Sequence, residues 1–273
     1  MSASGDLNER SYKSIYDDFD SALMQRIRTE AYGEDIGQHS WVTAHDLRAD
    51  IARLALAPSH RLLDVGCGPC GPLTYVLDAV RCRGTGLDLS SEAVAAGRRR
   101  AVSLGLESLA TIERSDLNAP LPLEDRSFDA AMSLDVVLHV RDRSALFQEI
   151  ARVLVPGGRL LFTDAAVLVG VISDDEVAAR SLHGHCHFVA PGFNERSLAG
   201  AGFRLLETED RTESLLANAG GRLAARRAHR QDLERTEGAP GFAREQEYLE
   251  TVVGLARRRS LSRFMYLAEL HGG

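Results

Sequence analysis

Two kinds of spacing between apolar residues alternate along this chain, most regularly between residues 61 and 164. Short apolar runs of strand length are each followed by a segment in which apolar residues recur every three or four positions, the spacing of a buried helix face. The pattern predicts strands at 61–65, 82–87, 109–113, 128–134 and 159–163, with helices between them. This alternation is typical of a doubly wound α/β fold built on a parallel sheet.

The flanks of this core are predicted to be mainly helical. Before it, two amphipathic helices carry their apolar faces on Tyr12, Ile15, Tyr16, Phe19, Leu23 and Ile27, and on Leu47, Ile51, Leu54 and Leu56. After it come a helix at 194–201, a strand at 203–207, an arginine-rich helical region interrupted near 238–241, and a strand at 262–267. We expect four parts: an N-terminal helical lid (1–57), a core (58–212) with an irregular loop (165–192), a helical cap insertion (213–258) and a final core strand (259–273).

Composition restricts the classes of protein to consider. The 273 residues are 44% hydrophobic and 26% charged, as in ordinary globular proteins, and the net charge of −7 argues against a nucleic-acid partner. Because no apolar run approaches the roughly 20 residues that span a bilayer, and the N-terminus lacks a signal-peptide pattern, we expect a cytoplasmic protein without a membrane partner. The strong preference for arginine over lysine suggests a GC-rich bacterium.

A glycine-rich turn follows the first predicted strand. Gly66, Gly68 and Gly71 would let a ligand approach the backbone and the N-terminus of the next helix. The spacing also occurs in dinucleotide-binding folds, so an NAD-dependent dehydrogenase is the competing interpretation. Asp64 at the strand tip would repel a pyrophosphate, and favours a ligand that lacks phosphate and carries a cationic amino group.

The pair Cys67 and Cys70 has the spacing of a redox motif. Because both lie inside the glycine turn, we interpret Cys67 as a small buried residue rather than a redox centre. Zinc is also disfavoured, since no second pair of cysteines stands at finger spacing.

Four motifs occur in order: 63–68 (Leu-Asp-Val-Gly-Cys-Gly), 86–90 (Gly-Leu-Asp-Leu-Ser), 115–117 (Ser-Asp-Leu) and 154–158 (Leu-Val-Pro-Gly-Gly). Together they resemble those of class I S-adenosylmethionine-dependent methyltransferases. The resemblance implies a Rossmann-like seven-stranded sheet with helical cap elements, and S-adenosyl-L-methionine as the cofactor.

The ordered motifs assign cofactor roles to particular residues. A carboxylate at the end of the second strand, Asp88, suits the ribose hydroxyls; Asp116 offers an acceptor to the adenine amino group; and Asp64 suits the methionyl ammonium. The complete predicted set is Asp64, Gly66, Gly68, Asp88, Leu89, Asp116, Leu117, Asp135 and, as a lid residue, Trp41.

The segment 135–139 (Asp-Val-Val-Leu-His) resembles that of phosphoethanolamine and sarcosine/dimethylglycine N-methyltransferases. In the former, a histidine at the place of His139 works with an N-terminal tyrosine, which makes His139 and Tyr16 the predicted catalytic residues, with Tyr12 as the alternative to Tyr16. Residues 32–36 resemble the loop that closes over the cofactor in the same enzymes, so Tyr32 is a second lid candidate beside Trp41 and a predicted substrate-binding residue.

The loop at 165–192 is the expected acceptor region. His183, His185 and His187 would share one side of a strand, and we expect them to line the acceptor pocket rather than bind a metal. The segment lacks the tyrosine–lysine character of phosphoethanolamine enzymes, which argues against a phosphobase acceptor. The arginines at 222–230 and 257–259 are interpreted as a solvated helix face.

These observations predict methylation of a small-molecule acceptor, at nitrogen or oxygen, in bacterial specialised metabolism. The alternatives are C-methylation of a prenyl diphosphate or another carbon nucleophile, a non-catalytic S-adenosylmethionine-binding regulator, and a redox protein. The sequence leaves the acceptor, and whether the protein forms a homodimer, open.

Overall fold

A computed structural model describes residue 16 and residues 18–272 of the chain. The helices of this part are α1 (Ala22–Tyr32), α2 (Ala44–Leu54), α3 (Gly71–Val80), α4 (Ser91–Ser103), α5 (Arg143–Val153), α6 (Asp174–Arg180), α7 (Phe193–Gly200), α8 (Thr212–Ala228) and α9 (Arg230–Arg257), with a short 3-10 helix at Val137–His139. The strands are β1 (Arg61–Val65), β2 (Arg83–Asp88), β3 (Ala110–Arg114), β4 (Phe128–Leu134), β5 (Leu154–Leu168), β6 (Phe203–Asp210) and β7 (Leu261–Leu270).

The strands form one seven-stranded sheet in the order β3-β2-β1-β4-β5-β7-β6. The first five run parallel, and β7 is antiparallel to both β5 and β6. Order reverses between β1 and β4, so the carboxyl ends of these strands border the crevice in which open α/β sheets bind ligands. The prediction of a seven-stranded, doubly wound α/β fold is therefore confirmed.

Packing on both faces of the sheet explains why the strands read as continuous apolar runs. On one face, α3 and α4 cover a cluster centred on Leu62, Leu73 and Leu77. On the other, α5 covers a cluster that includes Leu63 and Phe162. These two layers hold the strand ends rigidly, which is what a site on the connecting loops requires.

The proline and glycines at 156–158, which precede the strand predicted at 159–163, form a bulge inside β5. Phe128 of β4 pairs with Leu154, but Ala130 pairs with Arg159, so three extra residues of β5 are accommodated opposite β4. Gly157 takes a φ of +80°, a backbone conformation that glycine reaches without strain. The proline and glycines therefore interrupt the pairing without ending the strand.

The first helical face was predicted as one continuous stretch, which is wrong where it can be examined. Residues 18–20 form a turn, and the Ser21 hydroxyl accepts a hydrogen bond from the Met24 amide at 3.3 Å to begin α1. The Arg28 guanidinium donates to the Phe19 carbonyl at 2.7 Å and fixes the turn. Tyr12 and Ile15 lie outside the described residues.

Helices α8 and α9 connect β6 to β7 along the chain. They pack against each other, and both contribute to an apolar cluster with Ile27 of α1. The interruption expected near 238–241 is a kink, since Gly238 has φ +75° and ψ 154° within α9. A cluster that includes Trp41, Leu215 and Leu249 joins these helices to the loop before α2. The division of the chain into a lid, a core and a cap insertion stays a prediction. Among the described helices, none has the length and apolar character to cross a membrane.

Candidate functional site

A cavity opens at the carboxyl ends of β1, β2 and β4, and the loop before α2, together with α6, α8 and α9, closes its far side. Twelve residues predicted from the sequence line it: Tyr16, Trp41, Asp64, Gly66, Gly68, Asp88, Leu89, Asp116, Leu117, Asp135, His139 and His183. A second cavity adjoins it between α1, α8 and α9, and His39, His183 and Arg222 line both.

The glycine turn after β1 takes a conformation that requires glycine. Gly66 has a φ of +79°, and a Cβ there would lie 2.4 Å from a side-chain carbon of Val136. The Gly68 amide donates to Asp88 at 2.8 Å, and the Ser90 amide donates to the other oxygen of the same carboxylate at 2.9 Å. Asp88 thus fixes the turn from the tip of β2 and still faces the cavity.

Asp64 is a buried carboxylate that receives no hydrogen bond from any described residue, although it is only 3% exposed. Burial, reinforced by the neighbouring Asp88 carboxylate, raises the pKa of Asp64 to about 8. A buried carboxylate without a donor is costly unless a cation joins it. The position therefore fits the ammonium of a ligand bound in the cavity.

Asp116 stands at the end of the cavity beyond β3. One carboxylate oxygen accepts two hydrogen bonds from Asn118, from its amide and its side chain, both at 2.9 Å. The second oxygen receives no donor from the described residues, and Leu89 and Leu117 line the same wall. A hydrogen-bond acceptor beside two leucine side chains matches an amino-substituted heterocycle such as adenine.

Asp135 lines the cavity, but described residues already engage both its carboxylate oxygens. Arg263 donates to them at 2.9 and 3.1 Å, the Thr163 hydroxyl donates at 2.9 Å, and the Trp41 amide donates at 2.9 Å. Burial alone would raise the pKa of Asp135, but the Arg263 guanidinium outweighs it and holds the pKa below its usual range. This arrangement favours a structural role for Asp135 over the predicted contact with the cofactor.

His139 ends the 3-10 helix after β4. Its Nδ1 lies 2.9 Å from the carbonyl oxygen of His185, and because a carbonyl only accepts, Nδ1 carries the proton and Nε2 the lone pair. Burial, with a contribution from the Arg180 charge, lowers the pKa of His139 to about 4, so the ring is neutral near pH 7. Tyr16 is close by, on the side of the glycine turn, where a Cβ at Gly68 would come within 3.4 Å of its hydroxyl.

The far end of the cavity contains aromatic and charged residues that the sequence did not reveal. His39 contacts the rings of Tyr16 and His183, with centroids 5.7 and 6.1 Å apart, and burial followed by the Arg222 charge lowers its pKa to about 3. Tyr248 lies 4.7 Å from the His183 ring and stacks on Trp41 at 6.3 Å.

Two arginines and one carboxylate supply the charge in this region. Arg222 donates to Glu245 at 3.2 Å, and Nε2 of His183 lies 3.0 Å from the other oxygen of that carboxylate. Burial alone would raise the pKa of Glu245, but His183, Arg222 and Arg226 together hold it well below its usual range. Arg180 is buried beside Tyr248, whose hydroxyl accepts from it at 3.2 Å.

The three alternating histidines do not share one side of a strand, because residues 181–188 form a turn and irregular backbone. His183 lines both cavities, whereas the His185 and His187 rings lie together, 6.2 Å apart, and line neither. His185 contributes through its backbone, as the acceptor for His139. The expectation that all three line one pocket is therefore wrong in its geometric premise.

Tyr32 lines the second cavity and not the first. Its hydroxyl donates to the Ser40 carbonyl at 3.1 Å, and burial raises its pKa. The second cavity is mixed in character, with an apolar part formed by Phe19, Leu23, Met24, Ile27, Leu182 and Leu233.

The solvated arginine face predicted at 222–230 is only partly present. Arg227 is exposed, but Arg226 is buried and paired with Glu237, and the Arg222 guanidinium lies over the Trp41 ring at 5.1 Å. Some arginines of this region therefore face the cavities, while others face solvent.

The described residues contain no group of three or more His, Cys, Asp or Glu side chains placed to hold a metal ion. Cys67 and Cys70 are both buried and form no disulfide. A side-chain hydrogen bond with Cys70, followed by burial, raises the pKa of the Cys67 thiol well above its usual value, which makes it a poor nucleophile.

The chain shares its core with known methyltransferases. The family model described as a methyltransferase domain matches residues 63–162. These residues therefore resemble a methyltransferase domain. The match includes all four sequence motifs, and it confirms the resemblance inferred from them.

Two curated proteins named as methyltransferases are similar to this chain over part of their length. The chain is 34% identical over 134 residues to methyltransferase GfsG of Streptomyces halstedii, covering 49% of the chain and 47% of that protein. It is 31% identical over 169 residues to glycine/sarcosine/dimethylglycine N-methyltransferase of Actinopolyspora halophila, covering 60% of the chain and 29% of that protein. It thus spans about half, or less, of the length of these relatives.

A solved structure shows that the resemblance in fold extends to the flanks. Haemonchus contortus phosphoethanolamine N-methyltransferase 2, solved with S-adenosylhomocysteine and phosphomonomethylethanolamine, matches 94% of this chain and 59% of that one, at 18% identity and a TM-score of 0.78. At this identity the likeness establishes the fold, and the activity of the present chain has to be argued from its site.

Proposed function

We propose that this protein transfers a methyl group from S-adenosylmethionine to a small-molecule acceptor held beside His139. The observation that carries the proposal is the buried Asp64 carboxylate, which lacks a donor from the described residues and faces the same cavity as Asp88 and Asp116. These three separated carboxylates match an ammonium, a pair of ribose hydroxyls and an exocyclic amino group. They would repel a phosphate.

The residues present fit the cofactor part by part. Asp88 would accept from the ribose hydroxyls, Asp116 from the adenine amino group and Asp64 from the methionyl ammonium, with Leu89 and Leu117 against the adenine ring. When bound, S-adenosylmethionine supplies an electrophilic methyl group on a sulfonium centre. The NAD-dependent alternative is disfavoured because Asp64 would meet a pyrophosphate.

His139 is proposed to take the proton that the acceptor loses. Its Nδ1 is held by the His185 carbonyl, which directs the lone pair on Nε2 away from the backbone and fixes the tautomer. A base with a pKa of about 4 does not remove a proton from an alkylammonium, whose pKa is near 10. It does remove one from a hydroxyl oxygen that becomes strongly acidic while the new carbon–oxygen bond forms.

An oxygen nucleophile is therefore favoured over an aliphatic amine, which refines the N- or O-methylation expected from the sequence. His39 is neutral for the same reason, so neither the His39 ring nor the His139 ring carries a positive charge near pH 7. Tyr16, Trp41 and Tyr248 would exclude water and orient the acceptor along the line of displacement.

The test is a panel of acceptors matched in shape: a phenol, the corresponding aniline, a benzylamine and a prenyl diphosphate, with release of S-adenosylhomocysteine measured by mass spectrometry. We expect acceptor-dependent release with hydroxyl acceptors. Release with the benzylamine but not with the phenol would contradict the oxygen nucleophile.

A further inference from the structure

Arg180 differs from the other buried arginines of the described chain. Six arginines are buried, and five of them pair with a carboxylate: Arg28 with Asp35, Arg143 with Asp164, Arg211 with Asp50, Arg226 with Glu237 and Arg263 with Asp135. Arg180, at 4% exposure, has no carboxylate partner among residue 16 and residues 18–272. Its hydrogen bonds go to two neutral oxygens, the Tyr248 hydroxyl at 3.2 Å and the Ala165 carbonyl at 3.3 Å.

Arg180 also differs from the five paired arginines in position, because it lines the cofactor cavity and they do not. Asp135 and Asp164 influence it electrostatically, but each is already neutralised by its own arginine. Glu245, on the same side of the cavity, is engaged by Arg222 and His183. The acceptor end thus carries an excess positive charge, and a buried charge is costly unless a partner compensates it.

We propose that the acceptor carries an oxyanion, a carboxylate or a phosphate monoester, that pairs with Arg180 when it binds. The planar guanidinium is suited to such a group because it presents parallel N–H donors to two oxygens. With the oxygen nucleophile at His139, this describes a hydroxylated acid as the acceptor. The inference rests on the proposed function and specifies its substrate class.

The adjoining cavity sets the size of this acid. It shares His39, His183 and Arg222 with the first cavity and continues into the apolar wall defined above. An acceptor anchored at Arg180 therefore has room for an apolar body beyond these three residues. Glycine-sized acids would leave this space unused.

The test uses three probes of nearly equal shape and different charge: benzoate, benzamide and benzamidinium. Each is titrated by calorimetry into the full chain saturated with S-adenosylhomocysteine. We expect benzoate to bind at least tenfold more tightly than benzamide, and benzamidinium to bind more weakly than both. Equal affinities, or a preference for benzamidinium, would overturn the proposal.

Two variants locate the effect. Arg180→Gln should reduce the preference for benzoate over benzamide to less than about twofold, whereas Arg227→Gln, which removes an exposed arginine of α8, should retain it. A preference that survives in Arg180→Gln would contradict the assignment to Arg180. The comparison of the three probes on the wild-type chain decides the matter even if the variant fails to fold.

Inorganic phosphate, titrated in competition with benzoate, distinguishes the two sources of the oxyanion. Tighter binding of phosphate identifies a phosphate monoester, and tighter binding of benzoate identifies a carboxylate. If S-adenosylhomocysteine itself does not bind, the proposed function fails; if it binds and benzoate is not preferred, only the present inference fails.

Discussion

The guanidinium of Arg263 donates to both carboxylate oxygens of Asp135, at 2.9 and 3.1 Å, and the pair is buried between the ends of β4 and β7. The same carboxylate accepts the Trp41 amide at 2.9 Å. Asp135 at the tip of β4 thereby connects Arg263 on β7 with Trp41 in the loop before α2. The wall of the cavity that faces the acceptor depends on this junction.

Breaking the junction should destabilise the fold. Arg263→Gln leaves the Asp135 carboxylate buried without a cation, and removal of one partner of such a pair typically costs about 3–5 kcal/mol of unfolding free energy. Urea denaturation measures this loss. Arg227→Gln, which breaks an exposed pair with Glu250, should cost less than about 0.5 kcal/mol, and similar losses in the two variants would refute the assignment.

Asp88 should control cofactor affinity. In Asp88→Asn the side chain keeps its shape but loses its charge and one of its two acceptor oxygens, so the ribose hydroxyls would lose a hydrogen bond to a charged group. Such bonds contribute about 1.5–3 kcal/mol, which predicts roughly tenfold to hundredfold weaker binding of S-adenosylmethionine by calorimetry. Asp78→Asn, on the exposed side of α3, is the matched control and should bind normally.

Cofactor affinity should increase with pH through the ionisation of Asp64. In the free protein the pKa of Asp64 is about 8, so the group is mostly protonated at pH 6, whereas an ammonium partner requires the carboxylate. Binding below pH 8 therefore releases a proton, and affinity should rise by up to about tenfold per pH unit between pH 6 and 7.5. Asp64→Asn should bind weakly and with no such slope; a wild-type affinity that is flat over this range would count against the role of Asp64.

The rate of methyl transfer should remain insensitive to His139 protonation through the usual histidine range. Since its pKa is about 4, the ring is already neutral at pH 6, and the acidic limb of the kcat profile should lie near pH 4 rather than 6.5. His139→Gln should lower kcat by about 10²–10⁴ with unchanged cofactor affinity. The exposed His45 on α2 provides the control, His45→Gln; an equal loss in both variants would exclude His139 as the base.

The core could be predicted because its signals are local. The strands β1 and β4 begin and end where their apolar runs do, and the carboxylates at strand tips, Asp64 and Asp88, meet at one edge because parallel strands end together. The resemblance carried by the four ordered motifs indicated which cofactor to expect. These are inferences that need no knowledge of how distant segments pack.

The acceptor end could not be predicted in the same way. His39, Arg180, Arg222 and Tyr248 come from a loop and three separate helices, and tertiary packing alone brings them together. In the sequence, Arg180 stands at the end of a short polar segment, where a solvent-exposed arginine would be expected. Its distinguishing property, burial without a carboxylate, exists only in the folded chain.

Asp135 shows a second limit of prediction from the sequence. Its position after β4 favours a cofactor contact, but Arg263, 128 residues later in the chain, occupies its carboxylate. No residue near Asp135 in the sequence indicates that its partner, Arg263, lies on the last strand. Long-range pairing therefore gives Asp135 a structural role that the sequence did not indicate, while its contact with the cofactor stays a prediction.

The most direct test of the account is a calorimetric titration of the wild-type chain with S-adenosylhomocysteine and, in parallel, with NAD. We expect one S-adenosylhomocysteine site per chain with a dissociation constant on the order of micromolar, and no heat of binding from NAD. Binding of NAD in its place, or the absence of any S-adenosylhomocysteine binding, would contradict it.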